Sequence, residues 1–416
     1  MNDIVSYIPT HKNYSIKDLR KSPLSWSKPL TPFSQIIIEF LETLSLRIKT
    51  GPKFSSDPEL AALAFWLRKK NITQLAIDST AKKKNKKITR PKGTVFLIPP
   101  TNVSTLFCYH MALSLLTGNQ TVIRISPNAP NISYYLIEII SSILADRNFR
   151  LITNNLKIFS YDHSPQITEY FSQQCDLRII WGGDETVRSI RQISLATNAA
   201  DISFSDRFSW AAIRANSFLE LTGRSLENFI NRFSNEVFLF DQKACSSPKI
   251  LCWIGQEDEI KKASKKLYKN LIPTKEKISA NMSLGNVVEK QNDLYSMMAT
   301  SPTCVLKENN HNLSVLHLKK NTTNILENIR NFHTGNGILI EIHCQKLSEI
   351  SKLLTRKDQT LSYYGFEDTE LLSLLEKKVI NNFDRVVPIG QAHNFSENWD
   401  GYNTLSLYQR ELYYSA

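Results

Sequence analysis

Between Thr94 and Arg214, short unbroken apolar runs alternate with longer segments whose apolar residues recur every three or four positions. The unbroken runs Thr94–Ile98, Gln120–Ile125, Lys157–Tyr161, Ile179–Trp181 and Trp210–Arg214 predict buried strands. The periodic segments Leu106–Leu116, Ile132–Leu144 and Asp184–Ile193 predict the helices between them. Such alternation predicts an α/β chain: an open parallel sheet covered by helices on both faces, taking its ligand at the carboxyl ends of the strands.

Upstream, an amphipathic run covers Phe33–Ile48, and a second helix runs over Leu60–Arg68 with Asp57 as its cap and Pro58 in its first turn. Downstream the alternation resumes less regularly. Ile250–Ile254, Val315–Leu318, Gly337–Ile342 and Arg385–Pro388 predict strands; Glu257–Leu271, Ile325–Phe332, Leu347–Leu354 and Thr369–Val379 predict helices. Residues Pro273–Pro302 carry no readable pattern, and no internal repeat is visible. The pattern divides the chain into one domain reaching to about Glu236 and a second that begins at Cys245.

Composition narrows the class. With 416 residues, 42% hydrophobic and 22% charged, the chain has the make-up of a globular protein of two or three domains. Six scattered cysteines form no CxxC pair and no Cys/His cluster, which argues against a zinc site and a secreted disulfide framework and for the reducing cytoplasm. No apolar run is long enough to predict a transmembrane segment, and Met1–Lys21 is too polar for a cleavable signal. The net charge of +12, partly gathered in Lys82–Lys87, favours anionic partners. No nucleic-acid-binding signature accompanies it, so the lysine run reads as a solvated loop and nucleic acid is not an expected partner.

Three places carry candidate chemistry. In Phe240-Asp241-Gln242-Lys243-Ala244-Cys245-Ser246-Ser247-Pro248, a cysteine lies among small residues between a helical pattern and a strand. A helix N-terminus or free backbone N–H groups there would lower the thiol pKa and favour a nucleophilic thiolate; a buried structural thiol is the alternative. Two strand ends, Ile98-Pro99-Pro100-Thr101-Asn102 and Trp181-Gly182-Gly183-Asp184, lead into helices whose backbone N–H groups could meet a phosphate or an oxyanion. Gly182-Gly183 reads equally as a tight connection, and Asn102 as a helix cap or as an amide dipole for an oxyanion.

These pieces resemble the bacterial long-chain fatty acyl-CoA reductases of the LuxC type, within the aldehyde dehydrogenase superfamily. Pro58–Arg68, Trp181–Glu185, Phe240–Pro248, Gln359-Thr360-Leu361, Asp384–Gln391 and Trp399-Asp400-Gly401-Tyr402 match in family order. The resemblance implies an aldehyde dehydrogenase-like fold. Residues 1–90 would pack on a Rossmann-type dinucleotide-binding domain, 91–236; a catalytic domain would cover 237–382; and 383–416 would return to the cofactor domain or an oligomer interface.

It also implies an activity: NADPH-dependent reduction of a fatty acyl thioester to the aldehyde through an acyl-cysteine. Cys245 would be the nucleophile, and Asn102 with the Cys245 N–H the oxyanion donors. Ile98, Pro99, Pro100, Arg124, Ser126, Gly182 and Gly183 would contact the cofactor. An arginine at position 124, where the superfamily has a lysine near the adenine ribose, offers a fork for a 2′-phosphate; pairing with a carboxylate is the plainer role. The implied partners are fatty acyl-CoA, an acyl-protein synthetase or ligase subunit and further copies of the chain. Where hydrolytic relatives carry a glutamate base, Ile202–Trp210 has none, which suits an enzyme that must keep water from its thioester. A non-redox subunit that relays acyl groups on Cys245 is the alternative.

Overall fold

The computed structural model describes residues 4–21, 24, 26, 28–81, 87–278, 284–301, 303–319, 323–380 and 382–413. Residues 82–86 of the lysine run lie outside them. The chain forms two compact units: 1–205 with 395–398 and 402–416, and 206–394 with 399–401.

The first unit holds a seven-stranded sheet. Its strands are β1 (Ile4–Ile8), β2 (Lys12–Tyr14), β4 (Thr94–Ile98), β5 (Gln120–Ile125), β6 (Leu156–Ser160), β7 (Leu177–Trp181) and β8 (Ala200–Phe204), in the order β2-β1-β6-β5-β4-β7-β8. The five strands from β4 to β8 run parallel, and β1 and β2 add an antiparallel edge. The strand β3 (Lys87–Pro91) pairs instead with Gln409–Tyr413, returning the C-terminal segment to this unit. The helix Leu106–Leu116 is buried along its whole length, as its unbroken apolar sequence requires. Asp57 caps the helix Pro58–Trp66 as expected, its side chain accepting from the Glu59 and Leu60 N–H groups.

The second unit holds another seven-stranded sheet. Its strands are β9 (Phe208–Arg214), β10 (Pro248–Ile254), β11 (Cys304–Asn309), β12 (Ser314–Leu318), β13 (Ile338–Cys344), β14 (Asp358–Tyr364) and β15 (Arg385–Pro388), ordered β11-β12-β13-β10-β9-β14-β15. All neighbours run parallel except β11 and β12. The unit begins at Asp206 rather than at 237, because β9 pairs along its length with β10 and β14 and so belongs to this sheet. Two helices reach into the stretch without a readable pattern: Glu257–Ile278 continues through Pro273, and Leu284–Thr300 lies further along. Among the described residues no helix is long and apolar enough to cross a membrane, and all six cysteines are free thiols.

Candidate active site

In the first unit, β5 and β6 extend to one side of β4 while β7 and β8 extend to the other. Strand order therefore reverses between β4 and β7, and the carboxyl ends of such a pair open a crevice for a ligand. The two strand ends chosen from the sequence, Ile98–Asn102 and Trp181–Gly183, are the ends of this pair; Arg124 and Ser126 lie at the end of the neighbouring β5. The fold thus brings Ile98, Pro99, Pro100, Asn102, Arg124, Ser126, Gly182 and Gly183 to one edge.

Details refine their roles. Asn102 is exposed in the bend between β4 and Leu106–Leu116 and does not cap that helix, whose N-cap is Thr105. The turn is held from below by Glu59, whose carboxylate accepts from the Thr105 N–H at 3.3 Å and the Thr105 hydroxyl at 3.4 Å. Burial pushes the Glu59 pKa up to about 7. Arg124 is buried, donates to the Tyr161 carbonyl at 3.2 Å and lies 5.1 Å from the centre of the Tyr161 ring. No carboxylate pairs with it among the described residues, and its Nε–H has no partner. A buried guanidinium with an orphaned donor suits an anionic ligand. Gly182 is required by packing, since a Cβ there would meet the Thr186 side chain at 2.9 Å. Gly183, at φ −61°, is in a conformation open to any residue.

In the second unit Cys245 lies in the turn between the helix Gly223–Phe238 and β10, at the amino edge of the sheet. Ser209 at the start of β9 donates to the Cys245 carbonyl at 2.6 Å and accepts from the Thr360 N–H of β14 at 3.3 Å. Beside Thr360, Gln359 donates from Nε2 to the Cys245 sulfur at 3.4 Å and also to the Asp400 carboxylate. The Cys245 N–H meets no protein acceptor among the described residues. On the other flank Ser246 is 2.9 Å from His393 Nδ1, whose Nε2 donates to the Glu236 carbonyl at 3.1 Å. Burial pushes the His393 pKa down to about 4, so the neutral ring accepts the Ser246 proton.

The thiol differs from expectation. It does not sit at a helix N-terminus: it follows a short 3₁₀ turn, Leu239–Gln242, and precedes a strand. Burial, reinforced by the Asp400 carboxylate, pushes its pKa up to about 11, against the Gln359 hydrogen bond and the charges of Lys249 and Arg385. At neutral pH the resting group is a protonated thiol.

The approach to Cys245 is a strained backbone. Phe240, Asp241 and Gln242 have φ of 58°, 51° and 61°, three successive non-glycine residues in the left-handed region, each costing about 1 kcal/mol or more. A second left-handed run, Gly335-Asn336-Gly337, locks the first. The Asn336 N–H donates to the Asp241 carbonyl at 2.7 Å. A Cβ on Gly335 would meet that carbonyl at 2.8 Å. The fully buried Gln242 donates to the carbonyls of Pro248 (2.9 Å) and Ile338 (2.8 Å) and accepts from the N–H groups of Gly337 (3.0 Å) and Ile338 (2.9 Å). Four bonds from one amide fix the loop to the sheet.

The C-terminal motifs acquire physical roles that the sequence did not disclose. Asp400 is left-handed at φ 49°, and a Cβ on Gly401 would meet Asp384 Oδ1 at 2.9 Å. Arg207 pairs with Asp384 and lies 3.8 Å from Asp400, and Arg385 lies 4.6 Å from the Trp399 ring centre. Gln242, Lys249, Gln359 and Asp400 all escaped assignment. The only signal for Gln242, Gln359 and Asp400 was their place in matched motifs, and Lys249 had none.

Comparison with known proteins agrees with this architecture. Residues 70–410 match the family model of acyl-CoA reductase (LuxC). A long-chain acyl-protein thioester reductase from Aliivibrio fischeri is 23% identical over 168 residues, 40% of this chain and only a third (33%) of that protein. Aldehyde dehydrogenase 21 from Physcomitrella patens, solved with succinate, superposes with a TM-score of 0.65 at 11% identity, covering 91% of this chain and 85% of that one. The glyceraldehyde-3-phosphate dehydrogenase GapN from Methanocaldococcus jannaschii, complexed with NADP, gives 0.60 at 12% identity over 91% and 88%. The fold is that of the aldehyde dehydrogenases, and the chain belongs to the acyl-CoA reductase (LuxC) family.

Proposed function

We propose that the protein reduces a fatty acyl thioester, acyl-CoA or acyl-protein, to the aldehyde, with NADPH as reductant and Cys245 as acyl carrier. The observation that carries this reading is the setting of Cys245. Its thiol receives a side-chain amide, its N–H is left without a protein acceptor, and the nearby Asp400 carboxylate is engaged by Gln359 and Arg207.

Deprotonated Cys245 attacks the thioester carbonyl, and the C=O electron pair becomes an oxyanion received by the Cys245 N–H and the Asn102 amide. Collapse breaks the bond to the donor thiol, which leaves with a proton, and the acyl group stays on Cys245. NADPH, when bound, supplies the hydride that brings the acyl carbon to the aldehyde level. Cleavage of the carbon–sulfur bond then frees the aldehyde and regenerates the thiolate, which Gln359 and the charges of Lys249 and Arg385 favour. Ile98, Pro99, Pro100, Ser126, Gly182 and Gly183 would line the cofactor's place at the edge of the first sheet, and Arg124 with its orphaned Nε would take the 2′-phosphate. The relative that acts on acyl-protein and the NADP-bound neighbour support the substrate class and the cofactor by analogy.

The test is intact-protein mass spectrometry with a series of fatty acyl-CoAs, followed by NADPH. The expected result is one acyl group on Cys245, discharged as aldehyde with one NADPH oxidised per acyl group. Acylation that NADPH leaves untouched would make the protein a non-redox acyl relay. Steady-state kinetics with both cofactors test Arg124: Arg124→Gln should harm NADPH use about tenfold more than NADH use. Equal losses would leave Arg124 a structural residue.

A further inference from the structure

A second cluster of reactive side chains lies in the second unit on β12 and β13, and the proposed reaction has no use for it. His317 and Glu341 face each other in register on these neighbouring parallel strands. His343, two residues beyond Glu341, projects from the same face. His343 Nε2 is 2.8 Å and His317 Nδ1 3.5 Å from the same carboxylate oxygen, Glu341 Oε1, and the three donor atoms all lie within 4.8 Å of one another. The two rings are 4.3 Å apart.

We propose that His317, Glu341 and His343 form a binding site for a divalent transition-metal ion of the zinc type, with Lys307 as the cation that neutralises the carboxylate when the metal is away. A tetrahedral Zn²⁺ held at about 2.0–2.1 Å needs donors about 3.3 Å apart, so the separations close on a metal with changes of a few tenths of an ångström to about one and a half ångström. Two imidazoles and one carboxylate select zinc, cobalt, nickel or copper over magnesium and calcium, which prefer oxygen donors.

Three further observations point to a ligand. First, His317 Nδ1 is buried, turned toward Glu341 and without a hydrogen bond. Second, both nitrogens of His343 face carboxylate oxygens, Glu257 at 3.1 Å from Nδ1 and Glu341 at 2.8 Å from Nε2. Such a ring satisfies both only by carrying two protons or by giving Nε2 to a cation, and a carboxylate on the far nitrogen is the usual outer partner of a metal-bound histidine. Third, the Tyr268 hydroxyl holds the other oxygen of Glu341, which fixes the fully buried carboxylate and leaves Oε1 to the cluster. Lys307 reaches Oε1 from the edge strand β11, where its side chain is 29% exposed and free to swing aside.

The test titrates full-length, chelator-stripped protein with Zn²⁺ alone against a chromophoric chelator, and reads Co²⁺ by the visible bands of four-coordinate cobalt. One ion per chain is expected. His317→Gln and His343→Gln should each weaken binding by more than about a hundredfold, and Glu257→Gln by the ten- to hundredfold typical of outer partners. Lys307→Met should tighten binding, because it removes the competing charge. Glu257 and Lys307 are exposed enough to be changed without threatening the fold, so the test stands even if a histidine variant is unstable. Equal binding by wild type and the His317→Gln/His343→Gln pair, or weaker binding by Lys307→Met, would overturn the proposal.

Discussion

The two candidate regions use opposite ends of their sheets. At the carboxyl edge of the first sheet, each residue of interest comes from the end of a regular strand, and neighbours in sequence remain neighbours in function. At the amino edge of the second sheet, Cys245 depends on Ser209, Gln359 and Asp400, drawn from distant parts of the chain, and on a backbone held in left-handed strain by a second such segment. The first is a docking edge that the fold class supplies by itself; the second is assembled. A parallel sheet offers a ligand its carboxyl ends through strand polarity alone. A nucleophile at the amino edge has to be held there by specific bonds.

The most drastic way to probe this contrast removes the sulfur. Cys245→Ala should lose all acyl labelling and all aldehyde formation with the fold retained, while Cys252→Ala, fully buried in β10, should keep most activity. Labelling that persists in Cys245→Ala, read by peptide mass, would move the nucleophile elsewhere. Next in size is Asn102→Ala, from the docking edge. Loss of one oxyanion donor should slow turnover about a hundredfold while leaving acyl-CoA affinity nearly unchanged. Poorer binding at unchanged turnover would make Asn102 a binding contact rather than an oxyanion donor.

The assembled edge should also be vulnerable through its scaffold. Gln242→Leu removes four hydrogen bonds to buried backbone groups and should cost about 3 kcal/mol of stability in denaturant unfolding. An unchanged midpoint would show that the left-handed loop holds without the amide. The smallest effect concerns the thiol itself, followed by the rate of alkylation against pH. With the thiol pKa near 11, the wild-type rate should still be climbing above pH 9. Lys249→Met removes a charge that lowers the pKa and should slow alkylation at pH 9 by about three- to tenfold. Asp400→Asn removes one that raises it and should speed alkylation by a similar factor. Unchanged rates in both variants would show that burial alone governs the group.

The same contrast governs what was legible in the sequence. Fully buried elements announce themselves as apolar runs, so the strands Thr94–Ile98 and Gln120–Ile125 and the helix Leu106–Leu116 coincide with their elements to the residue. β8 was missed because its residues are only partly covered, and the pattern Ala200–Phe204 is half polar. β14 was missed because Asp358, Gln359, Thr360 and Ser362 are buried polar residues, and partners such as Arg330 and Trp210, which satisfy Asp358, are ones no local pattern can foretell. The environment of Cys245 differs from the expected one. The expectation of an acidic thiol assumed a helix N-terminus or free backbone N–H groups outweighing burial, whereas the chain reaches the cysteine through three left-handed residues that nothing in Phe240-Asp241-Gln242 signals, since none is a glycine, and burial raises the pKa.

The clasp on Gln242 also sets a timetable for the chain as it is made. Its partners at Gly337 and Ile338 lie 95 and 96 residues downstream, and the amide that reaches the Cys245 sulfur lies 114 residues downstream. A chain emerging from the ribosome therefore carries Cys245 on a slack segment long before the residues that shape it exist. Because loop closure over such spans comes late, the thiol gains its surroundings only after β13 and β14 have joined the sheet. The raised pKa of this thiol is thus a late product of folding, and a nascent or half-folded chain holds an ordinary cysteine at position 245.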